Sequence, residues 1–379
     1  MDRRKFLSKS SMAVAATPLL LSARLPGISN NETSGRIQFT RDGLDLNPEE
    51  YSDLLTRICK GPDIADNYSN FGVVEKMENK FAEMLGMESG IFMPTGTLAN
   101  NIALMKHAGN NRRVLLQSVS HVYNDTGDGA QTLCNLNLIP LAPDKTSFTL
   151  DDVKAAVDRT RAGRVKTGIG VISIESPVRR KNNEMFDFKE MQLISEYAHS
   201  NNIKMHLDGA RLFNAVAHSG IPAADFADLF DTVYISLYKD FNAASGAVLC
   251  GTKKFTEGLY HTRRMFGGGM PQAWPFASVA LYSADSFLPD YHKALDRFKV
   301  FSKILNARKE FDISSIKNGS NVFRMKVEVN NSDLYRSKLA EKNIDIPAPS
   351  DGVFYPKTNT TLLRIEPEKL AGIFVEALK

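Results

Sequence analysis

Three groups of residues in this chain have the side chains and the placement to hold one cofactor. Thr95-Gly96-Thr97 opens a helical stretch, and Asp208 and Lys239 each follow a short apolar segment. Backbone N–H groups and hydroxyls at a helix start bind phosphate. A carboxylate pairs with a protonated ring nitrogen, and a lysine amine bonds with an aldehyde. Pyridoxal phosphate carries all three groups, which makes it the candidate cofactor.

Other motifs that indicate a ligand are missing from the sequence. Gly168-x-Gly170 leads into a strand instead of a helix, so it does not satisfy the dinucleotide fingerprint. The sequence has no Gly-x-Ser-x-Gly elbow, no Walker loop, no Cys-x-x-Cys and no His-Glu-x-x-His. We therefore expect neither a dinucleotide nor a metal as the cofactor.

The net charge of +4 is concentrated at the N-terminus. Residues 1–23 hold four basic side chains against Asp2, and the rest of the 379 residues have 43 basic and 42 acidic side chains. A nearly neutral body has no electrostatic attraction to nucleic acid or to an anionic membrane. We expect a small amino-acid substrate as the partner, no nucleic acid, and no membrane span after the signal.

Residues 1–28 have the parts of a twin-arginine-type export signal. The charged start Asp2-Arg3-Arg4-Lys5-Phe6-Leu7 precedes an apolar run from Met12 to Leu21. The run is about half as long as the ~20 residues that cross a bilayer, and Pro18 interrupts it. The pattern predicts a periplasmic or otherwise exported protein that is loaded with its cofactor before export. A short amphipathic arm or an uncleaved anchor is the alternative.

Short apolar segments alternate with helical patterns along the rest of the chain. Segments that predict buried strands lie at 91–93, 113–116, 169–174, 203–207, 232–237 and 247–249. Helical periodicity occurs at 72–86, 151–161 and 188–200. The alternation predicts an α/β fold with a mostly parallel central sheet and helices on both faces. Ligands of such sheets bind beyond the carboxyl ends of the strands.

The pattern changes near residue 285. A charged helix at 290–310, alternating residues from Val322 to Val329, and a final helix at 366–378 predict a smaller α+β domain. We therefore divide the chain into an export signal (1–28), an N-terminal arm (29–65), a large cofactor-binding domain (66–285) and a small C-terminal domain (286–379).

Three motifs resemble those of the L-threonine aldolases, which belong to the β-eliminating lyase group. The motifs are Phe92-Met93-Pro94-Thr95-Gly96-Thr97-Leu98-Ala99-Asn100, His206-Leu207-Asp208-Gly209-Ala210-Arg211-Leu212-Phe213-Asn214-Ala215 and Gly267-Gly268-Gly269-Met270-x-Gln272. The resemblance runs from about residue 36 to the C-terminus. It implies the pyridoxal-phosphate-dependent transferase-like fold (fold type I). It also implies a lyase that cleaves a β-hydroxy-α-amino acid to glycine and an aldehyde.

The resemblance implies cofactor contacts for single residues. Lys239 would be the Schiff-base lysine, and Asp208 would pair with the pyridine nitrogen and keep it protonated. His121 would stack on the cofactor ring, and Thr95-Gly96-Thr97 would hold the phosphate. Without the resemblance, simpler interpretations exist, because an aspartate can cap the helix that follows it and a lone histidine often lies in a loop.

The resemblance also implies how substrate and subunits are arranged. Arg211, close to the cofactor, and Arg364 would bind the substrate carboxylate, since a planar guanidinium can donate two parallel hydrogen bonds. Without the resemblance, Arg364 could be an ordinary charge at a strand end. Members of the family are usually homotetramers with shared sites, which implies a homotetramer or homodimer here and a role for Tyr68 across an interface.

The substrate-side residues depart from the family pattern. Val178 stands where threonine aldolases have a histidine that reaches the substrate hydroxyl, and valine can neither donate nor accept a proton. Pro271 replaces an arginine of the glycine-rich motif. An ordered water or His121 remains as the candidate base. One hypothesis is that the missing groups are replaced by Arg179, Arg180 or Asp240.

Other functions remain compatible with these residues. β-Elimination and transamination use the same cofactor on an amino acid, and their products differ from glycine and an aldehyde. A non-catalytic exported protein that binds an amino acid or the cofactor is a further alternative. The Asp208 and Lys239 pair argues against it, whereas Val178 and Pro271 favour it.

Overall fold

A mostly parallel seven-stranded sheet forms the centre of the protein in the computed structural model, which describes residues 35–379. This sheet is formed by strands β2 to β8. In chain order, the strands of all sheets in the described residues are β1 (Ile37–Gln38), β2 (Ser89–Met93), β3 (Arg113–Gln117), β4 (Asn137–Leu141), β5 (Ile169–Glu175), β6 (Lys204–Asp208), β7 (Thr232–Ser236), β8 (Ala247–Gly251), β9 (Phe311–Ser315), β10 (Phe323–Val327), β11 (Ile344–Asp345) and β12 (Val353–Phe354).

Helices cover the sheet and build the C-terminal part. They are α1 (Pro48–Ile58), α2 (Gly72–Met84), α3 (Gly96–Ala108), α4 (His121–Asn124), α5 (Gly129–Thr132), α6 (Leu150–Arg161), α7 (Phe188–Ser200), α8 (Leu212–Ser219), α9 (Ala223–Ala227), α10 (Lys253–Thr256), α11 (Leu259–Met265), α12 (Trp274–Ala284), α13 (Phe287–Asn306), α14 (Ser332–Glu341) and α15 (Pro367–Glu376). Short 3-10 turns lie at Pro62–Ile64, Arg179–Lys181 and Thr360–Arg364.

The strand order of the central sheet is β2-β8-β7-β6-β5-β3-β4. Strand β8 runs antiparallel to both of its neighbours, and the pairs from β7 to β4 are parallel. All seven residues of β5 are buried, as expected for a central strand that is covered on both faces. The predicted α/β fold class is therefore confirmed.

Helix α3 follows the first predicted cofactor motif. Thr95 is in an extended conformation, and its side chain accepts a hydrogen bond from the backbone N–H of Leu98 at 3.2 Å. This N-cap satisfies one free N–H group of the first turn and fixes where the helix begins. The helix then packs against strands β5 to β8 at the middle of the sheet.

A second apolar cluster lies among the C-terminal elements. Strands β12, β10 and β9 form an antiparallel sheet, and buried residues of α13 and α15 pack with it. Strand β1 pairs in parallel with β11, and Ile37 and Phe39 belong to the same cluster. The N-terminal arm thus contributes apolar side chains to the C-terminal cluster. The domain boundaries given above stay predictions.

The export signal predicted at residues 1–28 lies outside the described residues. Between residues 35 and 379, no helix combines the length and the apolar character that a membrane crossing needs.

Candidate active site

Four of the predicted site residues line one cavity. Lys239, Asp208, His121 and Arg211 surround a volume of about 380 Å³ beyond the carboxyl ends of β5, β6 and β7, and Glu175 joins them. A cavity of this size is typical of a small-molecule site. The parallel strands bring these residues together, because their carboxyl ends lie at one edge of the sheet.

Lys239 is half-buried and lies three residues beyond the end of β7. Burial and the nearby Arg211 guanidinium together lower the pKa of its amine from an ordinary 10.5 to about 8. A larger share of the amine is therefore neutral near pH 7 than in an exposed lysine. Only the neutral amine is a nucleophile for an aldehyde.

Asp208 is the last residue of β6 and is 2% exposed. The Asn100 side-chain amide donates to its Oδ2 at 2.7 Å, and the backbone N–H of Ala210 donates to its Oδ1 at 3.2 Å. Each carboxylate oxygen keeps a further lone pair. The carboxylate is thus fixed in orientation and can still accept a proton-bearing nitrogen from the cavity.

Glu175 connects the end of β5 to the histidine of the site. Its carboxyl group accepts hydrogen bonds from the backbone N–H groups of His121 at 2.6 Å and Arg179 at 2.9 Å. Burial raises the pKa of Glu175 to about 7, and the nearby Asp208 acts in the same direction. The His121 ring is oriented by Asp125, whose Oδ2 lies 3.5 Å from Nδ1.

The sequence analysis does not identify four charged residues that line the cavity, Arg41, Asp42, Asp45 and Lys357. Asp42 accepts from Arg211 Nη2 at 3.0 Å and from Lys357 Nζ at 2.9 Å. Burial opposes ionisation, but the two cations hold the pKa of Asp42 well below its usual range. Asp42 lies 169 and 315 residues from these partners, so no local pattern could have indicated the cluster.

Arg211 keeps donor capacity for a ligand. Among the described residues, its buried Nε has no hydrogen-bond partner. A buried donor without a partner costs about 1–3 kcal/mol, and an anion in the cavity would remove that cost. This observation agrees with the predicted contact between Arg211 and a substrate carboxylate.

Two predicted groups do not line the cavity. Thr95-Gly96-Thr97 forms the start of α3, where a Cβ atom on Gly96 would collide with the Tyr234 hydroxyl. Ser236, which the sequence analysis does not name, lies at the end of β7, and its buried hydroxyl has no hydrogen-bond partner among the residues that the structure describes. Arg364 instead donates to the Arg36 carbonyl at 2.8 Å. The roles of these residues therefore stay predictions.

The residues that replace the family's substrate-side groups differ in position. Val178 is fully buried, and Asp240 is buried and accepts a hydrogen bond from Asn214 at 2.9 Å. Arg180 pairs with Asp125 at 2.7 Å. Of the three residues proposed to replace the missing groups, only Arg179 lines the cavity.

The residues present fit pyridoxal phosphate. Lys239 supplies an amine with a lowered pKa, Asp208 a fixed carboxylate, and Ser236 a buried hydroxyl that lacks a partner in the described part of the chain. In residues 35–379, no three His, Cys, Asp or Glu side chains come together as metal ligands.

Comparisons with known proteins agree with this geometry. The beta-eliminating lyase family matches residues 63–311. The low specificity L-threonine aldolase of Saccharomyces cerevisiae is 30% identical over 213 residues, which cover 56% of this chain and 54% of that protein. The chain thus spans about half the length of the first curated relatives that it matches.

Solved structures show the same fold. A Listeria monocytogenes protein provisionally named L-allo-threonine aldolase has a TM-score of 0.74 and 26% identity, covering 92% of this chain and 97% of that one. An Exiguobacterium protein, provisionally named aromatic amino acid beta-eliminating lyase/threonine aldolase, has a TM-score of 0.77 and 24% identity, covering 91% and 98%. Together these matches confirm fold type I.

Proposed function

Because the chain belongs to the beta-eliminating lyase family, we propose that it is a pyridoxal-phosphate-dependent lyase. It cleaves the Cα–Cβ bond of a β-hydroxy-α-amino acid to give glycine and an aldehyde. The observation that carries the proposal is the convergence of Lys239, Asp208, His121 and Arg211 on one cavity of about 380 Å³.

Four groups of this chain would hold the cofactor. Lys239 would bond to its aldehyde, and the Asp208 carboxylate would hold a proton at the pyridine nitrogen. The His121 ring would pack on the cofactor face, and Thr95-Gly96-Thr97 with Ser236 would hold the phosphate. When bound, pyridoxal phosphate supplies an electron-accepting ring for chemistry at the substrate α-carbon.

On the substrate side, Arg211 would orient the carboxylate through its free Nε donor. Val178 offers no group for the proton of the β-hydroxyl. His121 lines the cavity and is held by Asp125, so its ring or a water beside it is the candidate base. The cavity-lining Arg179 is the candidate residue for selecting the substrate side chain.

A visible absorption spectrum of the full-length protein tests the proposal. After incubation with pyridoxal phosphate, we expect a visible band that survives removal of free cofactor, because Lys239 holds the cofactor covalently. Glycine should produce a new absorption at longer wavelength, which indicates loss of an α-proton. A protein that stays colourless would contradict the proposal and favour a non-catalytic binding function.

The rate of cofactor capture should depend on pH in a way that reports Lys239. Its pKa of about 8 means that the neutral, reactive fraction rises about tenfold per pH unit below 8 and levels off above it. The measurement is the rate at which the visible band appears in cofactor-free protein at a series of pH values. A rate that keeps rising far above pH 8, as for a lysine with an ordinary pKa, would contradict the lowered pKa of Lys239.

We also propose that a second copy of the chain covers the surface around Tyr68. The residue 66–72 loop has positive φ angles at Tyr68, Ser69 and Phe71, and the fully buried Arg263 donates to the carbonyls of Tyr68 and Ser69. These hydrogen bonds hold the loop in place. The loop residue Phe71 is 65% exposed, and Met265 at the end of α11 is 70% exposed. Such large exposed apolar groups are typical of an interface.

Phe71→Glu is expected to reduce the molar mass of the protein in light scattering, because a charge in an apolar interface is costly to bury. Val165→Glu is a matched control, since Val165 is 78% exposed in the loop before β5. A wild-type protein that is monomeric at every concentration would contradict the proposed homodimer or homotetramer.

Export by the twin-arginine route is a further proposal, supported by Arg3, Arg4 and the apolar run that follows. In a bacterial host, the wild-type protein should appear in the periplasmic fraction. The Arg3→Lys/Arg4→Lys double variant should stay in the cytoplasm. Equal distribution of the two proteins would refute the proposal.

A further inference from the structure

A chain of four hydrogen bonds runs from Asp208 to the far end of helix α3. Asn100 Nδ2 lies 2.7 Å from Asp208 Oδ2, and His206 Nε2 lies 2.9 Å from Asn100 Oδ1. His206 Nδ1 and His107 Nε2 each lie 2.9 Å from the Thr232 hydroxyl. His206 and Asn100 are fully buried, and Thr232 is too.

The periodicity of helix and strand places these residues together. Asn100 and His107 are seven positions apart on α3, so they share one face of the helix. His206 and Asp208 are two positions apart on β6, so both point toward that face. Thr232 of β7 is the register partner of His206 across the parallel pair.

The direction of every hydrogen bond follows from the chemistry of the groups. Asn100 donates its amide proton to Asp208, so its oxygen is left as an acceptor, and His206 Nε2 must carry a proton. Burial lowers the pKa of His206 to about 3, so the ring is neutral and its Nδ1 carries no proton. Nδ1 therefore accepts the Thr232 hydroxyl proton, and the Thr232 oxygen accepts from His107.

All four protons thus point toward the Asp208 carboxylate. Bonds aligned in this way polarise one another, and the last one donates to the charged group. The chain of hydrogen bonds therefore fixes the Asp208 carboxylate in one orientation.

We propose that Asn100, His206 and Thr232 are positioning residues that hold Asp208 as the proton-retaining partner of the cofactor ring nitrogen. The inference rests on the proposed function, because it assumes that pyridoxal phosphate binds in the cavity. It adds a second role for α3, whose first turn carries the predicted phosphate contacts. One helix would then orient the cofactor at the phosphate and, through Asp208, at the ring nitrogen.

The test compares cofactor affinity and ring protonation in full-length variants. The dissociation constant for pyridoxal phosphate is measured by titrating cofactor-free protein, and protonation by the ¹⁵N chemical shift of cofactor labelled at the ring nitrogen. We expect Asn100→Leu to raise the dissociation constant about 10- to 100-fold and Thr232→Val about 3- to 10-fold. Both should lower the protonated fraction of the ring nitrogen.

Two matched variants separate positioning from a loss of packing. Thr232→Ser keeps the hydroxyl and should restore both readouts to near the wild-type values. Thr160→Val removes another buried hydroxyl, one that bonds only to the Val157 carbonyl within α6, and should change neither readout. Because valine has nearly the shape of threonine, Thr232→Val provides the result even if Asn100→Leu does not fold.

The outcomes separate this inference from the proposed function. If the wild-type protein captures no pyridoxal phosphate, the proposed function itself fails. If the wild type binds it and Thr232→Val matches the wild type in affinity and in ring protonation, the positioning inference is overturned. Equal losses in Thr160→Val would also overturn it, because they would show a general effect of removing buried hydroxyls.

Discussion

Lys239→Ala is expected to lower turnover on the order of 10⁴- to 10⁶-fold, as loss of a covalent catalyst does in other enzymes. The reason is that its amine combines a position in the cavity with a pKa lowered to about 8. The variant should also lose the visible band of the cofactor-loaded protein. Hydride reduction followed by peptide mass spectrometry should find the cofactor on Lys239 in the wild type.

Lys357→Ala is the matched control, because Lys357 is a second lysine of the same cavity. Its amine donates to Asp42 at 2.9 Å, so it is engaged in an ion pair. The visible band and the attachment to Lys239 should both survive this change. Cofactor attached to Lys357 in the wild type would contradict the assignment.

Asp208→Asn is expected to lower turnover of the cofactor-saturated enzyme about 10²- to 10³-fold, the range seen when one fixed electrostatic group is removed. Asparagine keeps the shape of the side chain but has no charge to retain a proton at the ring nitrogen. The ring would then accept electrons from the substrate less well. The measurement is the initial rate of aldehyde release at saturating cofactor and substrate.

Asp240→Asn serves as the control for Asp208→Asn. Asp240 is also buried and close to Lys239, but it bonds to Asn214 and does not line the cavity. Burial raises the pKa of Asp240 to about 7, so much of this group is already uncharged near neutral pH. Its replacement should change turnover by less than about tenfold. Equal losses in both variants would contradict a specific role for Asp208.

The regular elements of the sheet could be predicted because their sequences are strongly patterned. The helix predicted at 188–200 is Phe188–Ser200, and the strand predicted at 169–174 is Ile169–Glu175. The sequence pattern does not predict strand β4, because β4 is an edge strand with mixed exposure and Pro140 removes one backbone donor. The pattern does not predict helix α12 either, because its residues are mostly apolar or small and give no clear amphipathic period.

The sequence predicts only those site residues that lie at or just beyond the carboxyl ends of the sheet strands. Asp208 ends β6 and Lys239 follows β7, and the topology of a parallel sheet brings such positions together. Asp42 belongs to the N-terminal arm and Lys357 to the C-terminal part of the chain. Their ion pair depends on tertiary packing, which no sequence motif indicates. Val178 is part of the core, and Arg179 beside it lines the cavity.

Product analysis tests the central claim most directly. The cofactor-loaded, full-length protein is incubated with L-threonine and with other β-hydroxy-α-amino acids, and glycine, aldehyde, keto acid and ammonia are all quantified. We predict that one glycine and one aldehyde are released for each substrate consumed, and that Lys239→Ala releases neither. Release of a keto acid with ammonia, without glycine, would contradict cleavage of the Cα–Cβ bond and assign β-elimination to this site.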